Sequence, residues 1–144
     1  EFKMVEAQSW NAVSEGQEFI LTEEMDSQRL VVWAAASGDF YQIHYDDDFA
    51  KGNNLPDIIV HGALKGMLVG RLLDEICGTE GRIKNWGVSY RGMDPARHDL
   101  TIHATVTKKY EEDGEKLLDL EVGVKQDDGS TETTPGTATV ALPA

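Results

Sequence analysis

The sequence predicts an α+β domain in which one antiparallel sheet with a single apolar face wraps one long apolar helix. Two periodicities carry this expectation. Leu64, Leu68, Leu72 and Ile76 recur every four residues between His61 and Ile76, with Met67 and Val69 widening the stripe, which is the repeat of a helix face. From Lys84 onward the repeat drops to two. Leu100, Ile102, Ala104 and Val106 alternate with polar neighbours, as do Leu118, Leu120, Val122 and Val124, and then Ala138, Val140 and Leu142, the pattern of half-buried strands. The 144 residues are one domain's length, enough to build a core without a metal or disulfide.

Taken in order, residues 1–10 read as a tag-derived or frayed lead-in to a single domain spanning 1–144. A short strand is expected over Gln17–Leu21, after Gly16. Thr22 then reads as a helix N-cap, because Glu23 and Glu24 follow it where a helix N-terminus favours acids. Leu30, Trp33 and Ala34 form that helix's apolar stripe, and Gly38 can end it in a left-handed conformation. Residues 39–57 read as irregular, punctuated by Gly52-Asn53-Asn54 and Pro56.

The long helix from His61 to Ile76 carries a second face made of Gly62, Gly66 and Gly70. Each helical glycine costs up to about 1 kcal/mol relative to alanine, so something must approach that face closely. Tight helix–sheet packing and a bound chain satisfy this equally. A strand over Trp86–Arg91 and the three alternating segments complete the sheet, with turns at Glu112-Asp113-Gly114 and Asp128-Gly129.

Composition excludes several functions. Twenty-six acidic against thirteen basic residues leave a formal charge of −13, which argues against nucleic acid and anionic membranes as partners. Acids dominate residues 1–50, where only Lys3 and Arg29 oppose them. Arg82, Lys84, Arg91 and Arg97 form the densest basic stretch, with Asp94 as its only acid, and are where a phosphate would be tolerated best. Cys77 is the only cysteine, so no internal disulfide forms and a reducing compartment is expected. No apolar run reaches about 18 residues and no charged-then-apolar leader opens the chain. A soluble, cytoplasmic domain is the expectation.

No nucleophile elbow, phosphate loop, dinucleotide fingerprint or His-Glu-x-x-His pair occurs. His44 and His61 lie 17 residues apart, which is not a recognised metal-ligand spacing, so no metal is expected. The conspicuous segment runs from Ser37 to Asp46, in a loop after a helix, where catalytic groups are commonly presented. Asp39 and His44 are five apart, so a curved loop can aim both at one point. A carboxylate beside an imidazole is the simplest acid–base pair that works near neutral pH. The alternative is that Asp39 caps a turn while His44 bonds a backbone carbonyl. Asp46 is expected to bond loop amides. The second segment, Ile58 to Leu64, ends at the start of the glycine-faced helix. Unpaired N–H groups there suit an oxyanion, and Gly62 has no side chain to block its amide.

Together, Gly38-Asp39-x-x-x-Ile43-His44-x-Asp46 and Ile59-Val60-His61-Gly62 resemble the hydratase-2 motif of the MaoC-like dehydratases. These are hot-dog-fold proteins related to the (R)-specific enoyl-CoA hydratases. The resemblance runs from about Gly16 to Leu142. It implies that Asp39 and His44 are the catalytic pair and that the Gly62 amide is the oxyanion donor. Substrate contacts are expected from Tyr41, Gln42, His61, Gly66, Gly70, Arg91 and Arg97. Two stretches depart from the family pattern. Tyr41-Gln42 stands where Asn-Pro is usual, and Met93 to Asp99 replaces the usual Pro-x-x-Pro-Gly-Asp.

The resemblance implies reversible hydration of a 2-enoyl-CoA thioester to an (R)-3-hydroxyacyl-CoA, with the acyl-CoA as substrate. No cofactor is expected, because water addition moves protons and no electrons. A homodimer is implied, or a heteromer with a related hot-dog subunit. A thioesterase and an acyl-CoA-binding partner subunit are the competing readings. The first usually takes a carboxylate on the long helix, where only Asp74 and Glu75 occur, near its end.

Overall fold

The computed structural model describes residues 3–144. The chain forms β1 (Glu18–Glu24), α1 (Ser27–Ser37), α2 (Asp47–Gly52), α3 (Gly62–Cys77), β2 (Arg82–Val88), β3 (Asp99–Glu112), β4 (Glu115–Lys125) and β5 (Glu132–Ala141). The five strands make one antiparallel sheet in the order β1-β3-β4-β5-β2. Its apolar face closes on α3. Leu64, Leu68, Leu72 and Ile76 pack with Ile102, Ala104, Leu118, Leu120, Val122 and Val140 in one buried cluster. Spacing by four on the helix meets spacing by two on the strands, which is why both repeats are legible. No helix among the described residues is long and apolar enough to cross a membrane.

The helix before the loop begins later than the sequence suggests. β1 runs through Thr22 to Glu24, whose partners on β3 are Thr101, Leu100 and Asp99. Asp26 is the N-cap, accepting from Arg29 N–H at 2.8 Å. The two glutamates serve the strand, and Glu23 pairs with Arg29 and Arg71. Strand pairing satisfied a whole row of backbone groups where a cap satisfies one or two. Gly38 ends α1 as expected, with φ 80° and its N–H bonded to Ala34 O. Residues 39–57 are more regular than expected, because Asp46 caps α2 through Phe49 N–H at 3.0 Å.

β2 starts at Arg82, four residues before the expected Trp86, and pairs with β5 at the sheet's far edge. The lead-in is held in place. Val5 N–H donates to Glu75 Oε2, Gln8 N–H to Ile76 O and Trp10 Nε1–H to Leu117 O. Phe2 lies outside the described residues.

Candidate active site

The left-handed turn at Gly38 releases the chain from α1 and sets Asp39 at a loop corner. Its Oδ1 accepts Tyr41 N–H at 3.3 Å, while Ser37 Oγ accepts Asp39 N–H at 3.2 Å. A 3₁₀ turn over Gln42–His44 then points His44 inward. His44 Nδ1 lies 2.7 Å from the carbonyl oxygen of Ile59. A carbonyl only accepts, so Nδ1 carries the proton and Nε2 keeps its lone pair. That lone pair faces Asp39 Oδ2 at 3.8 Å, with the His44 side chain 9% and the Asp39 side chain 48% exposed. The gap is too long for a direct hydrogen bond, and one water can bond both groups. The structure shows the turn bond and the carbonyl bond of the second alternative and also leaves the two side chains facing each other. Asp39 caps a turn with one oxygen and His44 bonds a carbonyl with one nitrogen, leaving the other atom of each for the pair.

His61 is fully buried and is the N-cap of α3 without capping it through its side chain. Its ring instead stacks on His44, with centroids 3.8 Å apart and planes 17° from parallel. His61 Nε2 lies 3.2 Å from the backbone oxygen of Asp39. Burial pushes its pKa down, as does the nearby His44, against the smaller opposing pull of Asp39. The next residue, Gly62, opens α3. The amides of that first turn have no acceptor within the helix and sit at its positive end. The site thus juxtaposes a carboxylate, an imidazole lone pair and a helix N-terminus.

Asp39, His44 and His61 each offer a ligand atom within 4.8 Å of the others. The ring geometry opposes their joint use for a metal. Imidazole lone pairs lie in the ring plane, and two stacked rings 17° from parallel with centroids 3.8 Å apart cannot both have one ion in plane at ordinary bond lengths.

The other expected site residues divide between this loop and the rest of the fold. Tyr41 sets its ring edge-on to His44 and Phe49, at 6.3 and 5.9 Å between centroids. The backbone oxygen of Gln42 holds Tyr45 and Asp46 N–H, so the turn forms without the family's Asn-Pro. The face of Gly66 and Gly70, expected to take an acyl tail, is covered by aromatic rings. A methyl group placed at Gly66 would lie 2.5 Å from Tyr90 Oη, and one at Gly70 would lie 3.1 Å from the Trp86 ring. The glycines admit aromatic packing. Arg97, expected near phosphates, is engaged by Asp57 and Asp47, and Arg82 and Lys84 both pair with Glu115. Arg91 is exposed at the rim of an open groove of about 700 Å³ lined also by Val88, Ser89 and Thr137.

The sequence reading passes over a buried brace behind the site. Lys65 Nζ donates to Asp94 Oδ2 at 2.7 Å and to Gly92 O at 3.0 Å, while Thr133 Oγ1 donates to the same carboxylate. Asp94 O accepts Val60 N–H, and Ile59 bridges to Pro95. The brace thereby steadies the Ile59 carbonyl that sets the His44 tautomer. A lysine within the core helix was its only sequence signal.

The family model of the MaoC like domain matches residues 8–129. The chain belongs to the MaoC-like dehydratase family. This MaoC-like domain is similar to the (R)-hydratase from A. caviae involved in PHA biosynthesis, at 25% identity and a TM-score of 0.81, covering 92% of this chain and 98% of that one. It is also similar to the unliganded R-hydratase PhaJ1 of Pseudomonas aeruginosa, at 20% identity and a TM-score of 0.85, covering 98% and 89%. These likenesses, with the five-stranded sheet around α3, show the hot-dog fold. The chain is 29% identical over 136 residues to the fatty acid synthase beta subunit hexB of Dothistroma septosporum. The match covers 85% of this chain and 7% of that much longer protein.

Proposed function

We propose that this domain adds water reversibly across the α,β double bond of an enoyl-CoA thioester. The observation that carries the reading is the His44 ring, whose Nδ1–H is committed to Ile59 O while Nε2 faces Asp39 across 3.8 Å, beside the N-terminus of α3. In the hydration direction, the pair holds one water, accepting from both of its hydrogens. As the water oxygen bonds to the β-carbon, His44 Nε2 takes its proton. The π electrons move toward the thioester oxygen, where the Gly62 amide stabilises the enolate-like charge. The pair then delivers a proton to the α-carbon on the same face, which restores its starting state.

Loss of one such donor costs about 10²–10³ in rate, so Gly62 ranks with the pair. The product is an (R)-3-hydroxyacyl-CoA, in line with the (R)-hydratase similarity. The reaction moves protons only and needs no metal or redox cofactor. A thioesterase reading has less to stand on, because Glu75 is engaged by Arg71 and by Val5 N–H at the far end of α3.

The test is the ultraviolet absorbance of a crotonyl-type CoA thioester mixed with this chain alone near neutral pH. Loss of the conjugated absorbance with the thioester intact is the expected result. Release of free thiol would support a thioesterase, and no change would support a non-catalytic subunit. Either outcome overturns the hydratase reading.

A further inference from the structure

The buried imidazole of His61 makes no cap for its own helix. The residue types that cap well are Ser, Thr, Asp and Asn, which bond the first amides of the helix. A histidine at that position is a poor local choice, and its side chain bonds none of them. Its ring is instead spent on the pair. It lies flat against His44 with centroids 3.8 Å apart, and its Nε2–H donates to the backbone oxygen of Asp39 at 3.2 Å. Among the described residues its Nδ1 is buried with no hydrogen-bond partner, an uncommon arrangement in a native interior. One side chain thus touches both members of the pair and immediately precedes the oxyanion amide.

We infer that His61 is a positioning residue, whose ring holds the His44 imidazole in plane and ties Asp39 to it at working separation. The inference rests on the hydratase reading of the same site and deepens it. A local rule broken at a fully buried position is expected where function constrains the residue. The chemistry also requires the second ring to stay uncharged. His44 becomes an imidazolium when it takes the water's proton, and two stacked imidazoliums would repel. The titratable groups facing His61 are His44 and Asp39. Lys65, the next charged side chain along α3, is engaged by Asp94 and Gly92. Burial opposes protonation of His61, so the ring under His44 stays neutral while His44 cycles.

Two substitutions separate the parts. His61→Gln keeps a donor and removes the stacking plane, and His61→Phe keeps the plane and removes the donor. For His61→Gln, kcat should fall roughly 10- to 100-fold, as for misplacement of a reacting group by about 1 Å. KM should stay within about threefold, because the ring is fully buried and engaged by His44 and Asp39 rather than making the substrate contact expected of it from the sequence. The pH–kcat profile should move in His61→Gln and hold in His61→Phe, which should lose less of kcat. Wild-type kcat and an unmoved profile in His61→Gln would overturn the inference.

Nitrogen-15 NMR of the imidazoles keeps the test independent of turnover and of the variants' folding. In the unsubstituted chain near neutral pH, His44 should show the Nδ1–H tautomer and His61 the neutral Nε2–H tautomer. A charged His61, or a His61 carrying its proton on Nδ1, would overturn the positioning role. A chain that shows this spectrum and hydrates no enoyl thioester would sink the hydratase reading and leave the His61 geometry standing.

Discussion

At the scale of single residues, the decisive feature is that Asp39 and His44 each spend one polar atom on the fold and turn another toward the other's side chain. His44 Nδ1 holds the tautomer through Ile59 O, and Nε2 is left facing Asp39, the arrangement on which the proposed hydration rests. Asp39→Asn removes the negative charge and one acceptor with little change in volume, and His44→Ala removes the proposed base. Each should lower hydration by orders of magnitude with the fold retained. A variant keeping more than about a tenth of the rate, a loss under ~1.4 kcal/mol, would refute the role of that residue. Cys77 makes a contrasting case. Burial first, and then Asp74, push its thiol up to about 11 from 9.0. The unfolded thiol ionises at lower pH than the folded one, so stability should fall as pH rises from about 9 through about 11. Labelling by a thiol reagent near neutral pH should be slow when folded and fast in urea. Rapid labelling of the native chain would contradict the burial.

At the scale of elements, the start of α3 is where the architecture meets the chemistry. Lys65, Asp94 and Thr133 tie α3, the loop before β3, and β5 into one buried polar knot. Removing one charge of such a pair leaves the other buried and uncompensated, at a cost of about 3–5 kcal/mol. Asp94→Ala should therefore lower the urea midpoint strongly. Lys65→Met combined with Asp94→Leu should cost much less, because no charge is stranded. Equal losses in the single and double variants would show that the knot stabilises through its charges themselves.

The glycine face of the same helix gives the milder case. Gly66→Ala brings a methyl against Tyr90 Oη, the outer end of a side chain that is 56% exposed. Tyr90 can swing aside, and alanine contributes up to about 1 kcal/mol of helix propensity. Stability should then stay within about 1 kcal/mol of the parent in urea unfolding. Collapse of the fold would mean that Tyr90 is locked in place.

At the scale of the molecule, the sheet order leaves β1 and β2 as edges, and open edges invite pairing with another chain. A two-fold dimer that covers them is the expected assembly, so light scattering should give twice 15.9 kDa. An active, monodisperse monomer would refute this. On the proposed function, the charge of −13 must be reversed locally to hold CoA phosphates. Of the four bases proposed for that task, three are occupied by Asp47, Asp57 and Glu115, which leaves Arg91 as the candidate. Arg91→Glu should weaken CoA esters more than pantetheine esters, most at low salt. Arg97→Glu should act mainly through the contact between α2 and the Asp57 loop. Equal effects of Arg91→Glu on both esters would place the phosphates elsewhere.

The sequence alone was enough for the long helix, the alternating strands, the turn at Gly38, and Asp39 with His44 as the candidate pair. Each of these depends on near neighbours along the chain. Period four, period two, a left-handed glycine and a five-residue loop are local properties that need no knowledge of the distant partner. What depended on distant partners was decided only by the tertiary structure. Thr22 to Glu24 became strand because β3 lies beside them. Gly66 and Gly70 proved to seat Tyr90 and Trp86, and Arg97 was taken by acids 40 and 50 residues away. His61 belonged to both patterns. Its place before the glycine helix was visible from the start, but stacking and hydrogen bonding act at atomic separations. Only the folded chain brings its ring 3.8 Å from that of His44.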